Sequence, residues 1–488
     1  MKILQKSIAV ALSAALFSGM AFAASNTSSA KKNSAGGVRT VARSESASPS
    51  DVQFAQSVSD ALENGSIEDA LALFDSYATE DSSLLSLKAG LLLSSGNVKD
   101  ADSIASKLLK ENPDDIGVLE LNMMIAKKKN DAVKKNQYLR KIIKLDPKNC
   151  EGNIELGDEQ SLRKNFPLAL KYYKTAWMSD PTNMEAMFGC GKMSYYTSKD
   201  KDARDFFNRM LRVDPENAQA LSYLGKLEGE NKKYKAAYDY TNRAIASDPN
   251  NYDCYMDLGT FSRYLGKYDE AEAAWKKATE IDPDYFLAYA YLAGLYDEME
   301  RDDDAYEAYI MVVKKNPDYY YAYESIGLHS WRKGDYELSR KAFVEAAKKN
   351  PDNISYPLMA TACYLKQKNT VKAKEYSDSV LRKISDKSSL DYKMLRMYHD
   401  QIGDMDVVLA VQKARNDSSS SGSISNKSGK YLYYLALYYD LKGDVSLAQK
   451  YYVEVCAIQS PMFFEYRLAK WAKTADSDDT VREVNKAE

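Results

Sequence analysis

The sequence predicts an all-α fold built as a linear array of stacked helical hairpins. Eight prolines, Pro113, Pro147, Pro181, Pro215, Pro249, Pro283, Pro317 and Pro351, stand 34 residues apart without a slip. A small residue recurs in phase at Ala169, Ala203, Ala237, Ala271 and Ala305, with Ser339 in the next unit. Four residues further on come Tyr173, Phe207, Thr241, Trp275, Tyr309 and Phe343, so that only Thr241 interrupts a row of rings. A fixed period of this kind marks a repeat architecture, in which each unit buries its apolar face against its neighbours. One continuous array therefore replaces the separate globular domains that 488 residues would otherwise suggest.

The stretch from Tyr252 to Tyr285 displays one unit. Tyr255, Leu258, Gly259 and Phe261 fall at helical spacing, and Leu265-Gly266-Lys267 ends this first helix, A. Helix B opens on Asp269 and Glu270, keeps Ala271, Trp275 and Ala278 on one face and reaches Lys276 and Lys277 late. Acids before bases suit the helix dipole. Asp282-Pro283 stops helix B, because proline disfavours the helical region for the residue before it, and Asp282 is the expected cap of the following helix.

A Leu-Gly step accompanies the rings at Leu156-Gly157, Leu224-Gly225, Leu258-Gly259 and, as Ile-Gly, at Ile326-Gly327; Cys190-Gly191 and Leu292-Ala293 are variants. Gly and Ala let helix backbones approach, and a ring fills the gap between them. The combined pattern resembles the tetratricopeptide repeat, strongly over 150–353 and more weakly on both sides. The resemblance implies a right-handed α-solenoid whose A helices line a concave groove, with a capping helix over the C-terminal end.

Around this centre the chain divides further. Residues 1–23 carry Lys2 and Lys6, an apolar run from Ile8 to Leu16 and Ala21-Phe22-Ala23, the pattern of a secretory signal peptide cleaved near Ala23. That places the mature chain in the periplasm or otherwise outside the cytoplasm, with no transmembrane span left after cleavage. Residues 24–50 are rich in Ser, Ala and Gly and predict a disordered leader. Degenerate units follow over 51–149, with Gly65, Ala70 and Phe74 in phase. Beyond the well-matched units, 354–415 read as degenerate hairpins with Pro357 early in a helix, 416–428 as a Ser-rich loop, 429–460 as a further unit, 461–475 as the capping helix and 476–488 as a polar tail.

Composition narrows the function. With 67 basic against 70 acidic side chains the chain is slightly acidic, and loss of the two leader lysines makes it more so, which excludes a nucleic-acid footprint. Five cysteines, Cys150, Cys190, Cys254, Cys363 and Cys456, form no CxxC and read as small buried apolar residues. His329 and His399 are the only histidines, lie outside any metal motif and read as packing residues. The Asp302-Asp303-Asp304 run opens a helix B, where acids are expected. No catalytic, cofactor-binding or metal-binding constellation emerges, and the expectation is a non-enzymatic scaffold that holds another protein.

The family resemblance places the second, fifth, ninth and twelfth residues of each unit on the groove. In the central units these give Glu151, Ile154 and Asp158, then Glu185, Phe188, Lys192 and Tyr195, then Lys226, then Asp253, Met256 and Arg263, and further on Leu287, Tyr321 and Trp331. Rings, Met and both charges suit an extended protein segment. A carboxylate clamp of Lys and Asn, known in one subgroup, is missing from these positions. A second surface is the basic run Lys127, Lys128, Lys129, Lys134, Lys135, Arg140, Lys141 and Lys144, which an acidic partner would fit. The alternative function is an envelope scaffold that binds or helps export a polysaccharide, since tyrosines, 38 in all, can stack on sugar rings.

Overall fold

The computed structural model describes residues 49–417, 424–458 and 463–473. The expected signal peptide, nearly all of the leader and the polar tail lie outside them. Helices A and B alternate throughout: α1 (Pro49–Asn64), α2 (Ile67–Ser76), α3 (Ser82–Ser95), α4 (Val98–Glu111), α5 (Ile116–Lys128), α6 (Ala132–Leu145), α7 (Cys150–Leu162), α8 (Phe166–Ser179), α9 (Met184–Tyr196), α10 (Asp200–Val213), α11 (Ala218–Glu230) and α12 (Tyr234–Ser247). They continue as α13 (Tyr252–Tyr264), α14 (Tyr268–Ile281), α15 (Leu287–Glu298), α16 (Asp302–Lys315), α17 (Tyr320–Arg332), α18 (Tyr336–Lys349), α19 (Ser355–Lys366), α20 (Thr370–Leu381), α21 (Leu390–Asp400), α22 (Asp404–Asp417), α23 (Ile424–Lys442) and α24 (Val445–Ala457). A last helix, α25, spans 464–473. No strand occurs among the described residues. The chain is an all-α solenoid of helical pairs, and its packing divides it into two compact units, 1–227 and 228–488.

The repeat is enforced by rings seated on glycines. Tyr173 lies against Gly157 of its own helix A and Gly189 of the next; Phe207 lies against Gly191, Trp275 against Gly259 and Phe343 against Gly327. A Cβ at Gly259 would stand 2.3 Å from Trp275 Nε1, and one at Gly191 2.6 Å from Phe207. Trp275 is 1% exposed, and the ring's N–H still finds a partner, donating to the Met256 carbonyl at 3.2 Å.

Turns keep the same period. Between A and B one residue per unit takes the left-handed region: Asn130, Lys164, Ser198, Lys232, Gly266, Glu300, Gly334 and Lys368, with φ from 54 to 76°. Gly266 and Gly334 adopt it freely, whereas a Cβ-bearing residue there is strained. Between B and A the sequence expectation needs correction. Asp282 does not N-cap the following helix; it is the C-cap of α14, and its carboxylate accepts the Asp284 N–H at 3.2 Å in the turn. In four consecutive units the N-cap of helix A is the asparagine two residues past the proline. Asn149, Asn183, Asn217 and Asn251 accept the N–H of Gly152, Ala186, Ala220 and Cys254 at 2.8 to 3.1 Å.

Beyond residue 354 the stack tightens. Residues 355–363 of α19 and 432–439 of α23 are buried without interruption. A helix apolar on every side must be surrounded, and α23 accordingly reaches past α21 to α19: Tyr434 donates to the Ser355 carbonyl at 3.1 Å, and Lys366 pairs with Asp440 at 2.7 Å. α1 begins at Pro49, inside the expected leader, while α22 and α23 cut into the expected Ser-rich loop from both ends, leaving 418–423 outside the described residues. No disulfide joins the five cysteines.

Two glycines test the packing argument against each other. Gly259→Ala drives a methyl into the Trp275 ring and is expected to destabilise unit 2 by about 1–3 kcal/mol. Gly294→Ala, in α15 with nothing within 4 Å of its Cβ position, should stabilise it by about 0.5–1 kcal/mol through helix propensity. Thermal melts of both variants check the opposite signs.

Candidate functional site

Eight of the predicted groove residues fall in unit 1, and seven of them form two adjoining clusters. The first is acidic. Glu151 and Asp158 project from α7 and Glu185 from α9, and Glu120 of α5 and Glu155 of α7 join them. Lys127 and Lys135 both pair with Glu155, the latter at 3.0 Å, and Lys127 stands 3.9 Å from Asp158. These cations hold the Glu155 carboxyl below its ordinary range despite its burial. At Glu151 the more distant Lys127 offsets less: burial and the charges of Glu185, Glu120 and Glu155 push it up to about 7. Burial and Asp158 raise Glu185, and burial outweighs the Asn149 hydrogen bond to raise Glu120.

The second cluster is aromatic and basic. Phe188 and Tyr195 of α9 flank Tyr223 of α11, with ring centres 5.6 and 5.5 Å from it in edge-to-face geometry. Lys192 Nζ lies 5.8 Å from the Phe188 ring centre and Lys226 Nζ 5.5 Å from that of Tyr223, within reach of cation–π attraction. Ile154 does not take part, being 1% exposed in the core. Sequence reasoning missed Glu120, Glu155 and Tyr223. The groove offsets applied one unit earlier would have found Glu120, and Glu155 and Tyr223 occupy the sixth position, beside the fifth that was used.

The predicted residues of unit 2 are not brought together. Arg263 is bound to Glu298 at 2.6 Å, an acid that also accepts from Tyr268. Met256 packs near Trp275, and Asp253 is exposed. Tyr321 stacks on Tyr320 at 4.0 Å and stays 55% exposed. Trp331 is half-buried, edge-on to Tyr336 at 5.0 Å.

In place of an open trough, part of this face carries the chain's own terminal helix. Phe464 of α25 stacks on Phe343 and Tyr356 at 5.9 and 6.1 Å, and Glu465 is buried, accepting from Tyr434 at 3.1 Å. Arg467 reaches back 170 residues to Asp297 at 2.7 Å and also meets Asp302 at 3.3 Å. Burial alone would raise Asp297, but hydrogen bonds from His329, Arg467 and Tyr309 hold it at about 2. Trp471 has the guanidiniums of Arg332 and Arg467 each 4.7 Å from its ring centre.

His329 therefore does more than pack. Its side chain is fully buried, with Nε2 3.1 Å from Asp297, and Asp297, Asp302 and His329 place one donor atom each within 4.8 Å of one another. A metal ion could bridge such a group, yet Arg467 Nη2 stands among the three at 2.7, 3.3 and 3.4 Å, so the cation that balances the acids is a guanidinium.

The basic run also divides. Lys129 pairs with Asp102 and Lys141 with Asp114, at 2.6 and 2.8 Å, while Lys127 and Lys135 belong to the acidic cluster. Lys128, Lys134, Arg140 and Lys144 are exposed. No helix among the described residues is long and apolar enough to cross a membrane.

Two family profiles, both described as tetratricopeptide repeat, match residues 195–252 and 262–325. None of the curated proteins matches the chain. Among solved structures, MamA is 27% identical over 33% of this chain and 94% of its own, with a TM-score of 0.31. PilF of Pseudomonas aeruginosa is 18% identical over 42% and 94%, TM-score 0.38. YrrB, a TPR protein described as having an unusual peptide-binding site, is 24% identical over 38% and 95%, TM-score 0.32. With its 34-residue period, its ring-on-glycine packing and the two profile matches, the chain is a tetratricopeptide-repeat protein over the matched residues 195–252 and 262–325.

Proposed function

We propose that this protein is a non-enzymatic scaffold of the bacterial cell envelope, exported by the leader that ends near Ala23, and that it holds an extended segment of another protein on the inner face of unit 1. One observation carries the reading: along α7, α9 and α11 that face passes from crowded carboxylates at Glu151 and Glu185 to rings and lysines at Phe188, Lys192, Tyr195, Tyr223 and Lys226. An extended peptide, basic at one end and aromatic or acidic at the other, matches this order. Stacked helices hold the contact positions before binding, so little ordering entropy is lost when the segment settles. The export reading rests on Lys2, Lys6, the Ile8–Leu16 run and Ala21-Phe22-Ala23.

A second reading, glycan binding, has its own support in unit 2. Tyr252, Tyr285, Phe286, Tyr319, Tyr321 and Tyr320 form a row with successive ring centres 4.0 to 6.1 Å apart. Tyr285 and Tyr321 are 45% and 55% exposed, enough for a sugar ring to stack. The exposed lysines and Arg140 of the basic run remain the place where an acidic partner would sit.

The acidic cluster makes a prediction that needs no partner. Glu151 holds its proton up to about 7 when folded and releases it near 4.3 when unfolded. The native chain therefore binds more protons than the unfolded chain between these values, and its stability falls as pH rises through that window. Glu151→Gln is expected to melt at the same temperature as wild type near pH 4.5 and about 2–4 °C higher at pH 8. Melts across that range check the crossing.

The binding reading is tested by crosslinking and affinity capture from an envelope fraction. Glu151→Gln with Glu185→Gln, and separately Phe188→Ala with Tyr195→Ala, should each reduce the wild-type catch about tenfold or more. A basic side chain beside Glu151 would draw off its proton, so capture should strengthen as pH rises from 6 to 8. Equal capture by wild type and both double variants would reject the unit 1 face.

A further inference from the structure

We infer that the face of unit 2 covered by α25 is an exchangeable helix-binding site, and that a basic amphipathic helix of a partner, with arginine four residues before an aromatic ring, competes with α25 for it. This rests on the scaffold reading above and names the class of partner for a second face.

The argument starts from what α25 buries. Phe464, Leu468 and Ala469 give it an apolar edge, but between Phe464 and Leu468 stands Glu465, 2% exposed. Burial raises its carboxyl, and Ser355, Tyr434 and Lys430 offset this only in part. Glu324 of α17 faces the same interface; burial pushes it up to about 6 against a hydrogen bond from Tyr356, and Glu465 adds to the rise. Docking α25 therefore places two acids in a poorly solvated site without a cation hydrogen-bonded to either. An apolar or amide side chain in place of Glu465 would avoid most of this cost.

The polar half repeats the pattern. Arg467 bridges Asp297 and Asp302, but the buried Nδ1 of His329 has no hydrogen-bond partner and stands 3.5 Å from Asp302. Arg467 and Lys470 are 28% and 57% exposed, and Lys470 pairs with Glu300 only at 3.4 Å. Contacts of this kind discriminate by charge and geometry while adding little net stability. The socket thus selects arginine, through two acids and a histidine, and an aromatic ring one turn later, between the guanidiniums. α25 meets both demands and carries Glu465 as a handicap. A partner helix that meets them without the acid is the better ligand, which is the condition for exchange.

A labelled synthetic peptide with the sequence of residues 463–473 and the change Glu465→Gln serves as the probe, with fluorescence anisotropy on the full chain. Arg467→Ala with Trp471→Ala in the protein loosens the resident helix while leaving Phe464, Leu468 and Ala469 in place. The peptide should bind this variant about tenfold or more tightly than wild type, and Glu465→Gln in the protein should weaken its binding below wild type. A peptide carrying Arg467→Ala should bind neither. Equal affinity for wild type and the loosened variant, or no binding to a variant that melts as a folded protein, would overturn the inference. Should the loosened variant fail to fold, hydrogen exchange on wild type decides: α25 amides must exchange faster than those of α17 and α19, and equal protection overturns exchange. Glu151→Gln with Glu185→Gln leaves this binding intact, so failure of the unit 1 reading and failure of this one are separable.

Discussion

The contact between an aromatic ring on helix B and a glycine on helix A sets everything else in this molecule. It works because a missing Cβ lets a ring as large as Trp275 lie on the backbone of α13, so two helices meet at a distance no other residue would permit. Once that distance is fixed, the small residue four positions before the ring follows, since Ala271, Ala305 and their counterparts must also pass close to a neighbouring helix. They are 0% exposed. The 34-residue period is thus a packing repeat before it is a sequence repeat. The left-handed turn residue and the asparagine cap are fitted to it, and six of the eight turn residues from Asn130 to Lys368 are not glycine, which indicates that packing on either side holds the turn open.

Where the ring-on-glycine contact lapses, the architecture changes in a consistent direction. α19 and α23 lack the Leu-Gly step and are buried on every side over 355–363 and 432–439. A helix of that kind cannot present one face to a groove, and it draws other helices around itself. α23 meets α19 directly, α21 is held by the Tyr398 bond to the Tyr434 carbonyl at 2.8 Å, and α25 closes the remaining side through Phe464 and Glu465. The change from a regular stack to a gathered cluster is therefore the cause of α25 lying on unit 2.

This explains which parts were legible in the sequence. Prolines, rings and glycines act between residues at fixed offsets, so the period exposes them and the helix pairs follow. The capping asparagines escaped because the Asp of each Asp-Pro step, three residues earlier, is itself a capping residue type. The course of α25 escaped for a deeper reason: Arg467 and Asp297 are 170 residues apart, and nothing periodic links them. Arg263 and Trp331 illustrate the same limit at the site. Their offsets assign them to the groove side, but offsets are silent on whether a neighbour such as Glu298 or Tyr336 has already claimed the side chain.

The acids of the two units sort into satisfied and unsatisfied groups, and the distinction bears on function more than their number does. Asp297, with three hydrogen-bond donors, sits at about 2, and Glu272, held by Lys276, Arg301 and Tyr296, does the same. Glu155 is likewise lowered by two lysines. These groups have their cations, and a newcomer gains from them only by replacing one. Glu151, Glu185 and Glu120 share the face with Glu155 and are raised chiefly by burial, which Lys127, hydrogen-bonded to Glu155, offsets only in part at Glu151 and Glu185. A surface that keeps carboxylates crowded and short of positive charge loses stability for doing so, and that loss is recovered when a cation arrives from outside. A basic side chain presented to Glu151 gains from a deficit already built into the fold, whereas the same side chain presented to Asp297 must first evict Arg467.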